Sequence, residues 1–173
     1  MLRPDVKPFY SHEQFLSECQ ENVSADIFQQ LQQLSLNVVP QDTMTSAIPV
    51  AELWNNFETA LRNTLAHLRA ARLKRTAPEP ALTAFEDVFT VKDIQDAYTA
   101  PSPAEREQKL DSIRWKFLDS LEDGHDFDVN AVAIYALKLL ILERTASRQV
   151  NEGIQAYGKL VDNGVAQAAQ NRC

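Results

Sequence analysis

The sequence predicts an all-α protein, a helical bundle packed around one central apolar helix at about residues 128–146. Three observations predict it. Apolar residues recur at steps of three and four through most of the 173 residues. No run alternates apolar and polar residues with period two for long enough to make a strand. The stretch 128–146 is apolar on almost every side (Ala131, Val132, Ala133, Ile134, Ala136, Leu137, Leu139 to Leu142), which marks a helix surrounded by others. Composition agrees. Hydrophobic residues make up 45% and charged residues 24%, ordinary globular usage. A chain this long buries roughly two-thirds of its unfolded surface and folds without disulfides or a structural metal.

Each element has its own start and stop signals. Ser11 opens a short helix, with Gln14 as its capping-box partner and Phe15 and Leu16 as apolar anchors. Ser24 is the N-cap of a second helix in which Ile27, Phe28, Leu31 and Leu34 share a face. Residues 37–48 are polar and contain proline, so they read as a loop. This divides the chain into an N-terminal helical appendage (1–40), a linker (41–48), a main helical domain (49–163) and a flexible tail (164–173). Pro49 suits the first turn of a long helix reaching about residue 74, with Val50, Leu53, Trp54, Phe57, Leu61, Thr64 and Leu68 on one stripe. Pro78 and Pro80 follow it, then an irregular piece with Phe85, Val88 and Phe89, then a short helix over 91–98 capped by Thr90. Ser102, Pro103 and Glu105 make a strong helix start. Leu110, Ile113, Phe117, Leu118 and Leu121 line that helix, and Gly124 is the expected C-cap. Asp128 caps the central helix. A last helix is expected over 151–161, ended by Gly164.

Charge and motifs exclude more than they assign. A formal charge of −7 and a pI near 4.9 argue against a nucleic-acid binder, which needs positive charge to displace counterions. The longest apolar run, 131–142, is interrupted by Lys138 and falls short of the roughly twenty residues that cross a bilayer. Cys19 and Cys173 read as free thiols, and the N-terminus has no apolar signal region, so a cytoplasmic location is expected. Four glycines leave little room for phosphate-cradling loops, and no nucleophile elbow, Walker loop or dinucleotide fingerprint is present.

Four constellations remain. Glu122, His125 and Asp126 lie in one acidic turn, and Glu122 and His125 match the Glu-x-x-His spacing of di-iron bundles, which makes these three the candidate metal ligands. The competing reading is a solvated turn with Asp128 as N-cap. Acids at a helix C-terminus oppose the macrodipole, and a basic neighbour there would relieve the cost. Arg62, Arg69, Arg72, Lys74 and Arg75 form the basic cluster, with no acid between Thr59 and Pro78; it suits an acidic protein partner or an anionic membrane surface, or is simply a solvated helix face. Glu58 and Arg62 also make an ordinary i,i+4 pair. Arg114 beside Trp115 is a candidate interface anchor, with core packing of Trp115 as the alternative. Lys138, inside the apolar helix, must snorkel, pair with a carboxylate or shift its pKa.

The stretch Pro101-Ser-Pro-Ala-Glu105-Arg-Glu-Gln-Lys-Leu110-Asp-Ser-Ile-Arg-Trp115-Lys-Phe-Leu118, with His125-Asp-Phe-Asp128 and Tyr135-Ala-Leu-Lys-Leu-Leu-Ile-Leu-Glu-Arg144, resembles a bacterial family encoded with V-type ATP synthase subunits. That family is distantly similar to the C subunit of archaeal-type enzymes, the d subunit of vacuolar ones. Trp54-Asn-Asn-Phe57 through Leu61-Arg62 to Leu68-Arg69 fits the family's long helix, so the resemblance runs over roughly 54–158. It implies one all-α lobe and a non-catalytic coupling or accessory role between the central stalk and the rotor ring, peripheral to the membrane, without a cofactor. It also places Arg114, Trp115, Lys138, Glu143 and Arg144 at motif positions. The polar ones, with Asp111, are expected to form a network between the two main helices. The alternatives are a general helical adapter binding through the basic helix or Trp115, and a small metal-dependent helical enzyme using Glu122, His125 and Asp126.

Overall fold

A computed structural model describes residues 2–4, 8–38, 47–76 and 88–148. The described residues form six helices and no strand, an all-α bundle. The expected helix over 151–161, Gly164, the tail, Phe85, Pro78, Pro80, Cys173 and most of the 41–48 linker lie outside the described residues.

The first helix, His12–Asn22 (α1), starts where Ser11 accepts from Gln14 N (3.1 Å) and the Gln14 side chain accepts from Ser11 N (3.0 Å), a complete capping box. Ala25–Gln33 (α2) follows Ser24, whose side chain makes no cap bond. Pro49–Arg72 (α3) has proline in its first turn. Val88–Tyr98 (α4) begins earlier than Thr90, which lies inside its first turn: no proline or glycine between 88 and 91 interrupts helical backbone. Pro103–Ser120 (α5) is capped by Ser102, which accepts from Glu105 N at 3.1 Å. Val129–Ser147 (α6) is capped by Asp128, which accepts from Ala131 N at 3.0 Å.

The central position expected for 128–146 is observed. α6 packs against α1, α2, α3 and α5, while α4 sits on α3 and α5. Its buried residues include Ala133, Ile134, Leu137, Leu139 and Ile141. Facing them, Phe57 of α3 and Phe117 of α5 stack with ring centroids 4.0 Å apart, and Trp54 lies 5.8 Å from Phe57. Trp54 and Phe57 are buried and each contribute roughly 1.5–3 kcal/mol, while Phe117 is partly buried. No helix among the described residues is long and apolar enough to cross a membrane.

Two further expectations change, at Leu53 and at Gly124. The N-terminal helices pack on the bundle: Cys19, Leu31 and Leu34 belong to the same core as Trp54 and Leu137. Trp54 Nε1 donates to Ser35 O (2.9 Å), Ala47 N to Gln30 Oε1 (2.8 Å) and His12 N to Glu143 Oε1 (2.7 Å). Leu53 is 42% exposed, because the buried face of α3 follows Val50, Trp54, Phe57, Glu58, Leu61 and Leu65 instead. Gly124 is not the C-cap of α5. Leu121 is, and Gly124 stands three residues later at φ +83° in a turn closed by His125 N donating to Glu122 O (3.0 Å). A Cβ at Gly124 would meet nothing, so the requirement there is conformational alone.

The end of α3 is closed by a Schellman motif. Arg75 N donates to Ala70 O (3.0 Å) and Lys74 N to Ala71 O (3.2 Å), which puts Lys74 at φ 52°. A lysine in left-handed backbone costs roughly 1 kcal/mol against glycine, and glycine returns part of that in unfolded-state entropy. Lys74→Gly is expected to raise the stability by roughly 0.5 kcal/mol in chemical denaturation; a loss of stability would mean that the lysine side chain has a role in the fold.

Candidate functional site

Charged residues of α3, α5 and α6 meet in a chain of ion pairs that is buried at Glu58, Arg114 and Asp111 and reaches the surface at both ends. Glu58 lies on the buried stripe of α3, one turn from Trp54 and Leu61, and is completely buried. Arg114 of α5 grips it with two nitrogens: Nε donates to Glu58 Oε1 and Nη2 to Glu58 Oε2 at 3.3 Å. The third nitrogen, Nη1, donates to Asp111 Oδ1 at 3.1 Å, one turn back on the same helix. Asp111 then reaches α6. It accepts from Arg144 Nη2, from Arg148 Nη1 (2.9 Å) and from Thr145 Oγ1 (3.5 Å). Arg148 continues to Glu107 at 3.3 Å. At the other end Arg62 lies 3.5 Å from Glu58 and donates to Leu36 O and Asn37 Oδ1, both at 3.2 Å.

Burial disfavours the Arg114 charge, but the Glu58 hydrogen bond and the Glu58 and Asp111 charges outweigh it and hold the guanidinium above its ordinary value. Arg144 is shifted the other way: burial comes first, then repulsion from Arg114, with Asp111 opposing both. Its Nε is buried without a hydrogen-bond partner. Four arginines therefore share three carboxylates, and Arg144 sits where they crowd.

A second polar contact joins the far end of α5 to α6. Lys138 is 1% exposed, yet its Nζ donates to Asp119 (2.5 Å) and Glu122 (2.6 Å) and lies 5.2 Å from the Trp115 ring centroid. Its stem is buried and its charge is paired at the C-terminal end of α5, the basic neighbour that acids at that end need.

The expected network of Asp111, Lys138, Glu143 and Arg144 is thus divided. Asp111 and Arg144 meet; Lys138 pairs elsewhere on α5; Glu143 faces α1 at His12. Trp115 is 6% exposed and Arg114 5%, so both are interior groups in this chain. Of the basic cluster, Arg62 is turned into the network, and Arg69, Arg72, Lys74 and Arg75 are exposed at the end of α3. Glu122, His125 and Asp126 do not converge. Glu122 is held by Lys138, His125 Nδ1 lies 2.6 Å from Asp128 Oδ2, and Asp126 is exposed. No group of three or more His, Cys, Asp or Glu among the described residues is arranged to hold a metal ion. Glu58, Glu107 and Arg148 are the network members that sequence reasoning missed. The available signal was Glu58 itself, a carboxylate on an otherwise apolar stripe.

Asp128 ties the turn to the helix. Its carboxyl is held down at about 2, from an ordinary 3.8, first by the Ala131 N–H and then by His125 and Asn130. Asn130 Oδ1 in turn accepts from Val50 N at 3.3 Å, joining the start of α6 to the start of α3.

Two outcomes are expected. Removing Glu58 leaves Arg114 buried without its main partner, so Glu58→Ala is expected to cost about 3–5 kcal/mol. Replacing both, Glu58→Leu with Arg114→Met, is expected to cost at least about 2 kcal/mol less than the two single changes added together. Additive losses in urea unfolding would show the pair to be uncoupled. For Asp128 the folded pKa lies below the unfolded one, so its stabilisation is complete above 3.8 and disappears as pH falls towards 2. Asp128→Ala is therefore expected to lower the melting temperature at neutral pH, with the gap to the parent closing across that acid window. A gap independent of pH would contradict the ionised cap.

Neither the curated proteins nor the solved structures gave a match to this chain. Residues 75–167, which take in α4, α5 and α6 and more than half of the 173 residues, match one protein family. On that match the chain belongs to the family described as protein of unknown function (DUF2764).

Proposed function

We propose that this chain is a non-catalytic coupling or accessory subunit of a V-type ATP synthase, similar to the C subunit, working by contact with the central stalk or the rotor ring on the cytoplasmic face of the membrane. The observation that carries the proposal is the ion network binding α3, α5 and α6 into one body, from Arg62 through Glu58, Arg114 and Asp111 to Arg148. A part that passes torque between neighbours has to resist deformation. Close-packed helices joined by buried ion pairs do so, since such interiors have low compressibility. The side chains of 101–118, 125–128 and 135–144 support the family reading. The exposed Arg69, Arg72, Lys74 and Arg75 give a chain of net charge −7 a locally basic end, suited to an acidic patch on a partner. With no described helix able to span a bilayer, the proposed attachment is peripheral and made through other subunits.

The test is co-purification with V-type ATP synthase subunits from a cell that encodes both. The chain is expected in the assembly, and the Arg69→Glu/Arg72→Glu double variant is expected to bind about tenfold or more weakly while staying folded, with the melting temperature lowered by only a few degrees because the two acids oppose the dipole at the end of α3. Absence of the chain from intact complex overturns the proposal. Unchanged binding of the double variant returns the arginines to a solvated helix face.

A further inference from the structure

Between α1, α2 and the first two turns of α6 lies an open groove of about 620 Å³. Its floor is apolar: Phe15 and Tyr135 pack with ring centroids 4.8 Å apart, flanked by Ile27, Val129 and Val132. Phe127 stands at the edge with its side chain completely exposed, 102% by relative area. A phenylalanine in that state adds little to the packing of its own chain, and beside an open apolar groove it extends the apolar surface that a partner can cover.

The rim is negative. Asp126 and Asp128 both line the groove, and Asp123 is exposed on the same turn. Asp128 stays ionised because the helix start and His125 hold it so. Asp123 and Asp126 take part in no ion pair among the described residues, whereas Glu122 on the same turn is neutralised by Lys138. An apolar floor edged by a loose aromatic ring and carboxylates is the complement of a helix whose apolar stripe is bordered by lysine or arginine.

We infer that this groove docks an amphipathic, basic helical segment of a second partner protein, with apolar side chains on Phe15, Tyr135 and Phe127 and flanking cations against Asp126 and Asp128. The inference rests on the coupling reading, since a part that passes force between two neighbours must hold both. The basic end of α3 holds one, and the acid-rimmed groove holds the other. The two surfaces have opposite charge, so each selects a different partner.

The probe is a helical peptide of about five turns with leucine on one face and lysine on the other, set against the same peptide with glutamate in place of lysine. Titrated into the full chain and followed by amide NMR, the lysine peptide is expected to shift Phe15, Phe127, Val132 and Tyr135. Its affinity is expected to fall about tenfold in Asp126→Lys and in Phe127→Ala, and to stay within about twofold in Leu53→Ala, an exposed leucine on α3. Equal binding of the two peptides, shifts located elsewhere, or variants without effect overturn the inference. So does self-association of the chain without peptide that Phe127→Ala abolishes, because it assigns the groove to a second copy. The two readings fail separately. Loss of the chain from the ATP synthase with peptide binding intact removes the coupling role alone, and capture by the assembly with an indifferent groove removes the groove alone.

Discussion

Glu58 and Arg114 come from helices far apart in the chain and meet where neither has access to water. The contact constrains everything around it. A carboxylate and a guanidinium out of water each lose several kcal/mol of hydration, recovered only when geometry is good and the remaining donors are occupied. Arg114 meets that condition by spending two nitrogens on Glu58 and one on Asp111. Asp111 must then face α6, where Arg144 and Arg148 take its oxygens. Hydrophobic burial drives these helices together but is indifferent to small slides between them. The ion pairs are not indifferent: shifting α5 by one turn on α3 would leave a buried charge alone. Packing therefore supplies the stability, and the ions fix the register.

Lys138 repeats the device at the other end of α5. As the chain advances along α5 from Asp111 to Asp119 and Glu122, its partners on α6 go backwards from Arg148 and Arg144 to Lys138. That order makes the two helices antiparallel and pins them at both ends. Gly124, with its positive φ, lets the chain reverse in the short turn between them, and Asp128 restarts the helix. The turn that looks most like a metal site in the sequence is thus a structural corner. Its histidine serves the N-cap and its first carboxylate serves Lys138. What the corner leaves over is Phe127 and two aspartates, Asp123 and Asp126, that take part in no ion pair among the described residues.

Local signals were legible in the sequence and distant ones were not. Ser11 with Gln14, Ser102 before Pro103, and Asp128 all announce helix starts, because a cap acts within three residues of itself. The all-round apolar character of 128–146 announces its central place for the same reason: it is a property of one helix. Leu53 lies off the buried face because a stripe at steps of three and four drifts by one position, and the charged Glu58 occupies a place on that face that hydrophobicity does not mark. Glu58 reads as the partner of Arg62, four residues on, when its main partner is 56 residues away. The pairing depends on how α3 and α5 are apposed, which periodicity does not specify. The packing of α1 and α2 on α6 was likewise beyond local signals, since it depends on contacts between distant segments.

The proposed coupling role requires α3, α5 and α6 to move as one. Native-state hydrogen exchange measures this directly, since helices that open separately exchange at separate free energies. The account predicts that the amides around Leu61, Leu118 and Leu137 share one high opening free energy, and that all three fall together when Glu58 is replaced. Opening of α3 well below α5 and α6 in the unaltered protein would contradict it.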